Sequence, residues 1–410
     1  MSAGEGKAPR NERPAPRYGE FPAPPGGEPP ASRSGRSPRR PGGQVPPPRD
    51  GGPSADVRRG RAGGGRAAGG RAVPPAPNAP KPTIRNVAER AGVSKSLVSL
   101  VMRGSPHVSE RRRQAVLQAA RELGYRPNAV ARSLVEGRTR LIGAIVADLH
   151  NPFFAEFLDG LQETLHGEGL RMLVGSGRWD PLFEAEAVEA FLEMRVDGLV
   201  LLSVVPESLK EAAASVPVVV VGERDVSGVD IVVDDDELGA SLAVDHLVEL
   251  GHRRIAHIEG ARSTTARYRR AGYEKAMRRH GLGEQIMVEP GDFTEEGGYL
   301  AARALLSRDP RPTAIFAPND LVATGVLSAA DELEMPVPEQ VSIVGYDNTH
   351  LAAIRHISLT SVDQPRRDMG RVAAELLTAR IEDPTRVARQ NLVVPHLVVR
   401  STTGPVPAGA

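Results

Sequence analysis

The 410-residue chain contains no cysteine, which excludes a disulfide framework and a thiolate metal site and is typical of a reducing compartment. No run of about eighteen apolar residues occurs, so neither a membrane-spanning helix nor a membrane partner is expected. The N-terminus lacks the apolar core of a secretory signal, and we therefore expect a cytoplasmic protein.

The net charge of +1 conceals a strong segregation of charge along the chain. Residues 1–80 contain 14 Lys and Arg against 6 Asp and Glu, and residues 81–140 contain 13 against 4. Residues 141–410 contain 25 against 41. A basic head on an acidic body is typical of a nucleic-acid-binding protein, because phosphates attract the head and repel the body. Such a protein would be associated with the nucleoid.

The first segment, residues 1–80, consists largely of Pro, Gly, Ala and Arg and has almost no large apolar side chains. It cannot bury enough surface to offset the entropy of ordering, so we expect a disordered tail. Its arginines could add weak nonspecific affinity for DNA. We favour instead an inert segment, or one that results from a start codon assigned too early.

A helix, a tight turn and a second helix are predicted from residue 83 onward. Apolar residues recur at helical spacing at Ile84, Val87, Ala88, Ala91, Val93, Leu97, Val98 and Val101. Gly92 allows a left-handed turn between the helices, and Ser94 lies where an N-cap hydroxyl would start the second. Such a unit places its second helix in the DNA major groove, although a plain helical hairpin gives the same pattern.

A third amphipathic helix is predicted from Ser109 to Leu123. Arginines 111 to 113 crowd its first turn, where the helix dipole disfavours cations. A bound phosphate would remove that penalty, and a solvated run of charge is the alternative. The following run, YRPNAVARSLVEGRT, is too weak to form a stable helix by itself.

The runs GVSKSLVSLV, VSERRRQAVLQAARELGYRPNAVARSL and GRTRLIGAIV closely resemble the LacI-type (lactose-repressor/galactose-repressor) family of bacterial transcriptional regulators. The resemblance extends from about Pro82 to Thr403. It implies an all-α helix-turn-helix DNA-binding domain at 81–127 and a hinge helix at 128–139. That hinge folds on operator DNA and wedges a leucine, here Leu134, into the minor groove. The implied DNA-contacting residues are Thr83, Ser94, Lys95, Ser96, Leu97, Ser99, Leu100, Arg103, Tyr125, Asn128, Ala131, Arg132 and Leu134.

The second helix departs from the family pattern Ser-x-x-Thr-Val-Ser-(Arg or His)-Val-Leu-Asn. Leu97 replaces the threonine, Leu100 the arginine or histidine, and Arg103 the asparagine. Leucine is a good helix former, so we expect the helix to form despite these replacements. The operator sequence, in contrast, cannot be inferred from the family pattern. Lys95 and Ser96 are expected to reach base edges, and Leu100 offers an apolar contact such as a thymine methyl.

From Leu141 onward, nine apolar runs predict strands, from LIGAIVAD at 141–148 to NLVVPHLVVR at 391–400, with amphipathic helices between them. Buried strands alternating with helices indicate parallel βαβ units, and about 260 residues are too many for one core. The resemblance implies an α/β periplasmic-binding-protein-like core of two Rossmann-like subdomains at 140–403. The expected bounds are 140–261 with 364–385 for the N-subdomain, 262–363 with 386–403 for the C-subdomain, and 404–410 for a flexible C-terminus.

Ligands of open parallel sheets bind beyond the carboxyl ends of the strands. Asp148, Asn319 and Asp347 end or follow predicted strands, and Arg269 and Phe293 lie just past two others. Carboxylates, an amide, a guanidinium and an aromatic face suit a polyhydroxylated ligand. The resemblance places a small, sugar-like effector here, with the contact residues Asp148, Phe153, Phe154, Arg269, Phe293, Asn319 and Asp347.

Each polar residue at these positions also has a plain structural alternative. A strand-end aspartate often caps the next helix, and we expect Asp320 to do so. The run Asp234–Asp236 precedes a helix whose N-terminus favours negative charge, and we prefer capping there too. Glu223 and Arg224 match the family less well.

No enzymatic motif is present: the chain lacks Gly-x-Ser-x-Gly, a phosphate loop and His-Glu-x-x-His. His246, His252 and His257 are scattered, so we expect structural roles and neither a metal nor a cofactor.

The predicted function is a homodimeric transcriptional repressor that binds palindromic double-stranded DNA and responds to an effector. The alternative, a periplasmic-type sugar-binding transport protein, has no use for residues 83–140.

Overall fold

The computed structural model describes residues 82–126, 133 and 137–407. The tail at 1–80 lies outside the described residues, and so do Asn128, Ala131, Arg132 and Leu134 of the expected hinge. Over the described residues, no helix has both the length and the apolar character needed to cross a membrane.

Three short helices form the N-terminal domain, and their bounds are Ile84–Ala91 (α1), Lys95–Met102 (α2) and Glu110–Leu123 (α3). Gly92 ends α1 in the left-handed conformation with φ 65°. The Ser94 hydroxyl accepts a hydrogen bond from the Leu97 amide at 3.2 Å and caps α2. Val87, Val98 and Val116 are fully buried between the helices. The predicted helix, turn and helix are therefore present, with the expected turn and cap.

The first lobe of the core is a six-stranded sheet in the order β11-β5-β4-β3-β1-β2, and every strand pair is parallel. Its strands are Leu141–Val146 (β1), Arg171–Ser176 (β2), Gly198–Leu202 (β3), Val218–Val221 (β4), Asp230–Asp234 (β5) and Gln390–Val393 (β11). Its helices are Pro152–Gly167 (α4), Pro181–Glu193 (α5), Leu209–Ser215 (α6) and Arg366–Glu382 (α11). One face packs on α4 and α11 and the other on α5 and α6, so the central strands are buried on both sides.

The second lobe repeats this plan in the order β12-β10-β9-β8-β6-β7, with only β12 antiparallel. Its strands are Ile255–Ile258 (β6), Met287–Glu289 (β7), Ala314–Phe316 (β8), Ser342–Asp347 (β9), Thr360–Asp363 (β10) and His396–Val398 (β12). Its helices are Asp236–Glu249 (α7), Thr264–Arg279 (α8), Glu295–Leu306 (α9) and Asp320–Glu332 (α10), with a short 3₁₀ turn at Gly283–Gln285. The α7 and α8 helices cover one face, and α9 and α10 the other.

The two predicted lobes are present, but the expected boundaries between them are wrong. The chain leaves the first sheet after β5 rather than at residue 262, because α7 and β6 pack in the second lobe. It returns for α11 and β11, so residues 390–393 belong to the first lobe and not to the second. Buried parallel strands have the same apolar composition in either sheet, and the sequence therefore does not reveal which sheet a strand joins.

The C-terminal part of the chain differs from expectation in two further ways. The single strand predicted at 391–400 is two strands in different sheets, separated at Pro395, which has no amide to donate to a ladder. The Gly404 amide donates to Ser342 Oγ at 3.1 Å, and the Val406 amide donates to the Leu250 carbonyl at 3.0 Å. Residues 404–406 are therefore bound to the second lobe rather than flexible.

Candidate DNA-reading helix and ligand cleft

One face of α2 is turned away from the core of its domain. Lys95, Ser96, Leu100 and Arg103 are exposed, and Ser99 is half-buried. These positions follow a spacing of three to four residues, so they form one stripe along the helix. The stripe combines one lysine, one arginine and hydroxyls with a leucine that is 37% exposed. Cationic and hydroxyl side chains on a protruding helix can bind phosphates and base edges, and the leucine can contact an apolar base substituent.

Four other residues predicted to contact DNA have structural roles in this domain. Leu97 and Tyr125 are half-buried and pack against its apolar core. Thr83 caps α1 by accepting from the Asn86 amide, and Ser94 caps α2. Leu97 lies three residues from Leu100, so it borders the exposed stripe while packing against the core. Thr83 and Ser94 are nevertheless exposed, so all four residues stay predicted DNA contacts.

The three arginines in the first turn of α3 differ in their surroundings. Arg113 donates to the Ser105 carbonyl at 2.6 Å and lies 3.6 Å from the Glu110 carboxylate. Arg111 and Arg112 are exposed. Arg113 therefore holds the loop before α3, and only the other two are placed to meet a phosphate.

A cavity of about 80 Å³ lies between the lobes at the carboxyl ends of both sheets. Of the predicted effector contacts, those lining it are Phe153, Phe154, Arg269, Phe293, Asn319 and Asp347. Asp148 is not among the lining residues, because its carboxylate turns back to accept from the His150 amide at 2.8 Å. Strand ends from two sheets thus converge on one cavity, as the strand-end rule predicts.

Arg269, on the second turn of α8, is the central cation of the cavity. Its Nε lies 3.0 Å from Asp236 Oδ1, its Nη1 lies 3.7 Å from Asp347 Oδ1, and Nη1 donates to the Pro318 carbonyl. The guanidinium also lies 3.6 Å from the centroid of the Tyr346 ring. Its charge is therefore shared by carboxylates from two elements of the second lobe.

Buried carboxylates outnumber this cation. Asp234, Asp236 and Asp347 line the cavity, and none is more than 4% exposed. Burial raises the pKa of Asp234, and the charge of Asp236 raises it further. Burial also raises the pKa of Asp347, although Arg269 acts in the opposite direction. Asp234 accepts from the Tyr346 hydroxyl through Oδ2, while its buried Oδ1 has no protein partner. The cavity therefore offers an unpartnered carboxyl oxygen for a hydrogen bond with a ligand.

The aspartate run at 234–236 is predicted to stabilise the start of a helix, and this role applies to Asp235 as the N-cap of α7 and to Asp236 in its first turn. Asp235 accepts from the Leu238 amide at 3.1 Å and caps α7. Asp234 ends β5, so the strand-end rule applied to Asp347 would also have found it. Asp236 faces the cavity because α7 starts there, which the sequence pattern did not indicate.

The residue that caps the N-terminus of α10 also differs from the expected one. Asn319 accepts from the Val322 amide at 2.8 Å and is the N-cap. The Asp320 carboxylate instead accepts from the Thr349 amide at 2.6 Å and from the Ser361 hydroxyl. The prediction that Asp320 caps the helix is therefore wrong by one residue, and Asn319 serves both the helix and the cavity wall.

Aromatic and polar contacts join the lobes across the cavity. Trp179 of the first lobe stacks on Phe293 of the second, with centroids 5.1 Å apart and planes at 24°. Thr264 donates to the Glu223 carboxylate, and Arg267 lies 3.6 Å from Asp225. Trp179 was not predicted, since it follows β2 in an irregular loop that no motif marks. These contacts bridge the two lobes at the edge of the cavity.

The three histidines have partners within the fold. His252 Nδ1 contacts Thr313 Oγ1 at 2.9 Å, and His246 contacts Thr403 Oγ1 at 2.9 Å. His257 Nδ1 lies 3.0 Å from the Phe316 carbonyl, and burial lowers the pKa of His257 to about 4. Their contacts tie helices, strands and the C-terminal segment together.

Two segments of the chain match known protein families. Residues 83–128 match the bacterial regulatory proteins of the lacI family, and residues 244–403 match the periplasmic binding protein-like domain. The transcriptional repressor PurR of Erwinia tasmaniensis is 36% identical over 338 residues, covering 79% of this chain and 98% of the relative. The ribose operon repressor of Escherichia coli K12 is 35% identical over 327 residues, covering 78% and 99%.

The solved structures include a close match in overall fold. The lac repressor dimer bound to operator and the anti-inducer ONPF gives a TM-score of 0.72 at 29% identity. The alignment covers 79% of this chain and 100% of that one.

Proposed function

Because the chain belongs to the LacI family of bacterial regulatory proteins, we propose that it is a repressor controlled by a sugar-like effector bound between the core lobes. It is a DNA-binding transcription regulator and not an enzyme. The observation that carries the proposal is the cavity at the carboxyl ends of both sheets, where Arg269, Asp347 and Asn319 meet. An effector-controlled regulator needs a DNA-binding helix and a ligand cleft on one chain, and α2 and the cavity supply these two features.

The proposed DNA contact is made by the exposed stripe of α2. Lys95 and Ser96 at the N-terminal end of this helix would reach base edges, as N-terminal residues of recognition helices do. Leu100 would contact an apolar group such as a thymine methyl. Two copies of the chain would bind a palindromic operator, because a two-fold protein matches a two-fold site. The operator-bound dimer of the lac repressor supports this arrangement.

The proposed effector contact uses both polar and aromatic walls of the cavity. Asp347, Asn319 and Asp234 can hold hydroxyl groups through carboxylate and amide atoms. Phe153 and Phe293 can pack on the apolar face of a sugar ring. The ribose operon repressor among the relatives supports a sugar. A transport role is not favoured, since a DNA-binding segment precedes the core.

Control would follow from coupling between the cleft and the DNA-binding end. A ligand that prefers one arrangement of the lobes shifts the population of that arrangement. The expected hinge at 128–139 would transmit the change, because two hinge helices must fit together in the minor groove. Effector and operator must then alter each other's affinity by the same factor.

A selection experiment tests the proposed DNA-binding role. The full chain is used to select bound duplexes from a random DNA library, and we expect enrichment of one palindromic sequence. Lys95→Ala should abolish the enrichment, whereas Arg121→Ala, an exposed cation near the end of α3, should leave it unchanged. If the wild-type protein enriches no sequence, the proposed operator binding is wrong.

A further inference from the structure

Residues 138–140, at the end of the expected hinge, are fixed to the first lobe by one carboxylate. The Thr139 amide donates to Asp197 Oδ1 and the Arg140 amide donates to Asp197 Oδ2, both at 2.9 Å. The Thr139 hydroxyl donates to the Arg195 carbonyl at 2.7 Å. Because Asp197 directly precedes β3, its carboxylate ties the end of the hinge to the middle of the first sheet.

A second contact ties the end of the hinge to α11. Arg138 Nη2 donates to the Ile381 carbonyl at 3.3 Å, near the C-terminal end of this helix. At the other end of α11, Arg366 Nη1 lies 3.0 Å from Asp363 Oδ1 and donates to the Asp347 carbonyl, and both partners belong to the second lobe. The 17 residues of α11 span roughly 26 Å. One helix therefore runs from contacts with the second lobe to the end of the hinge.

The backbone at this junction has an unfavourable conformation. Arg140 has φ 58°, in the left-handed region that residues with side chains seldom adopt. Its amide is bound by Asp197, and its carbonyl accepts from the Arg171 amide of β2 at 2.9 Å. Such a conformation persists only where the surroundings enforce it, and it is concentrated in functional and switch segments. The first lobe therefore sets the backbone geometry of residues 138–140.

We propose that Asp197, Thr139 and Arg138 form a hinge clamp, through which the arrangement of the two lobes controls the position of the DNA-binding segment. This inference rests on the proposed operator binding. A flexible link at 138–140 would let the hinge take the same position whatever the arrangement of the lobes. The hinge clamp instead makes the hinge follow the first lobe, so a shift of the lobes reaches the DNA-binding segment.

Asp197 is in this account a positioning residue. It lies neither in the wall of the cavity nor on α2, so its loss removes no contact of either site. What its loss removes is the coupling between them, which by thermodynamic linkage acts in both directions. A merely structural Asp197 predicts a different result, namely a lower free energy of unfolding with the coupling intact.

The operator itself is the probe, because coupling must also run from the DNA to the lobes. Trp179 is the single tryptophan and contacts Phe293 across the lobes, so its fluorescence reports a shift between them. The full chain is titrated with the duplex that the selection experiment enriches, and gel shift gives the operator affinity of the same samples. We expect a saturable change in wild-type emission. Operator binding without this change would overturn the hinge clamp. If no duplex is enriched, the proposed operator binding is wrong and the hinge clamp falls with it.

Variants separate the hinge clamp from a structural role. Asp197→Asn has only one acceptor oxygen and cannot accept from both backbone amides, so it should still bind the operator but lose most of the emission change. Thr139→Val should lose it too, whereas Thr139→Ser, which keeps the hydroxyl, should retain it. Glu382→Gln, an exposed residue at the end of α11, is the control and should match wild type. An emission change of wild-type size in Asp197→Asn would overturn the proposal. If Asp197→Asn does not fold, Thr139→Val decides the question in the same way.

Discussion

Arg269 Nε lies 3.0 Å from Asp236 Oδ1, and neither side chain is more than 5% exposed. This ion pair joins α8 to the start of α7 in the wall of the cavity between the lobes. Removing one partner of a buried pair leaves an uncompensated charge, which is far more destabilising than the loss of a surface pair. The pair therefore has a structural role as well as a place in the cavity wall.

Arg269→Ala should consequently lower stability in addition to abolishing the effector response. We expect the free energy of unfolding to fall by about 3–5 kcal/mol, since Asp236 and Asp347 lose their shared cation. Urea denaturation measures the change. Arg262→Ala, an exposed arginine of the same lobe, should stay within about 0.5 kcal/mol of wild type. Equal stability of the two variants would mean that the buried pair contributes nothing.

Glu184 should make the stability of the first lobe depend on pH. Its side chain is fully buried beside the Ser203 hydroxyl, and burial raises the pKa of Glu184 from 4.5 to about 8. Because this pKa is higher in the folded state, the free energy of unfolding should fall as the pH rises from about 4.5 to 8.

The side chain of Glu184→Gln cannot ionise. The melting temperature of this variant should therefore fall less steeply with rising pH than that of the wild-type protein. At pH values above the folded pKa, Glu184→Gln should be the more stable protein by more than about 1 kcal/mol. Glu189→Gln on the exposed face of α5 should follow the wild-type curve. Parallel wild-type and Glu184→Gln curves would show that the carboxyl titrates normally.

The sequence predicted the helix-turn-helix, the two lobes and six of the residues that line the cavity, because these depend on local signals. Gly92 and Ser94 end and start helices by their own chemistry, and strand ends converge in any parallel sheet. The sheet that β6 or β11 joins depends on long-range pairing that apolar strands do not encode. Trp179 was missed for a related reason, since its place depends on Phe293 in the opposite lobe.

Leu100 should determine part of the operator sequence. Leu100→Arg restores a side chain common at this position in relatives and replaces an apolar contact by a guanine-binding group. Selection from random DNA should then enrich a sequence that differs at one position of each half-site. Leu117→Met, in the half-buried part of α3, serves as the control for domain packing. An unchanged operator in Leu100→Arg would place Leu100 away from the bases.

Leu134 should be required for specific but not for nonspecific binding. If it wedges between base pairs, Leu134→Ala removes the wedge and the DNA bend that it supports. Footprinting should show loss of operator protection, with weak salt-sensitive DNA binding retained. Wild-type operator affinity in Leu134→Ala would contradict the interpretation of residues 128–139 as a hinge helix that inserts Leu134 between base pairs.

Deleting residues 1–80 should leave the choice of operator intact. The net charge of this segment can act only through phosphates, so its contribution should decrease steeply with salt. At physiological salt the deletion should change affinity less than Lys95→Ala does, as measured by gel shift. Selection of a different operator by the truncated protein would show that the tail reads sequence.

The most direct test of effector control is a thermodynamic cycle on the full chain. Operator affinity is measured with and without the saturating sugar, and sugar affinity with and without operator. The account predicts that both affinities change by the same factor, roughly 5–150-fold. A sugar that binds the cleft with no change in operator affinity would contradict it.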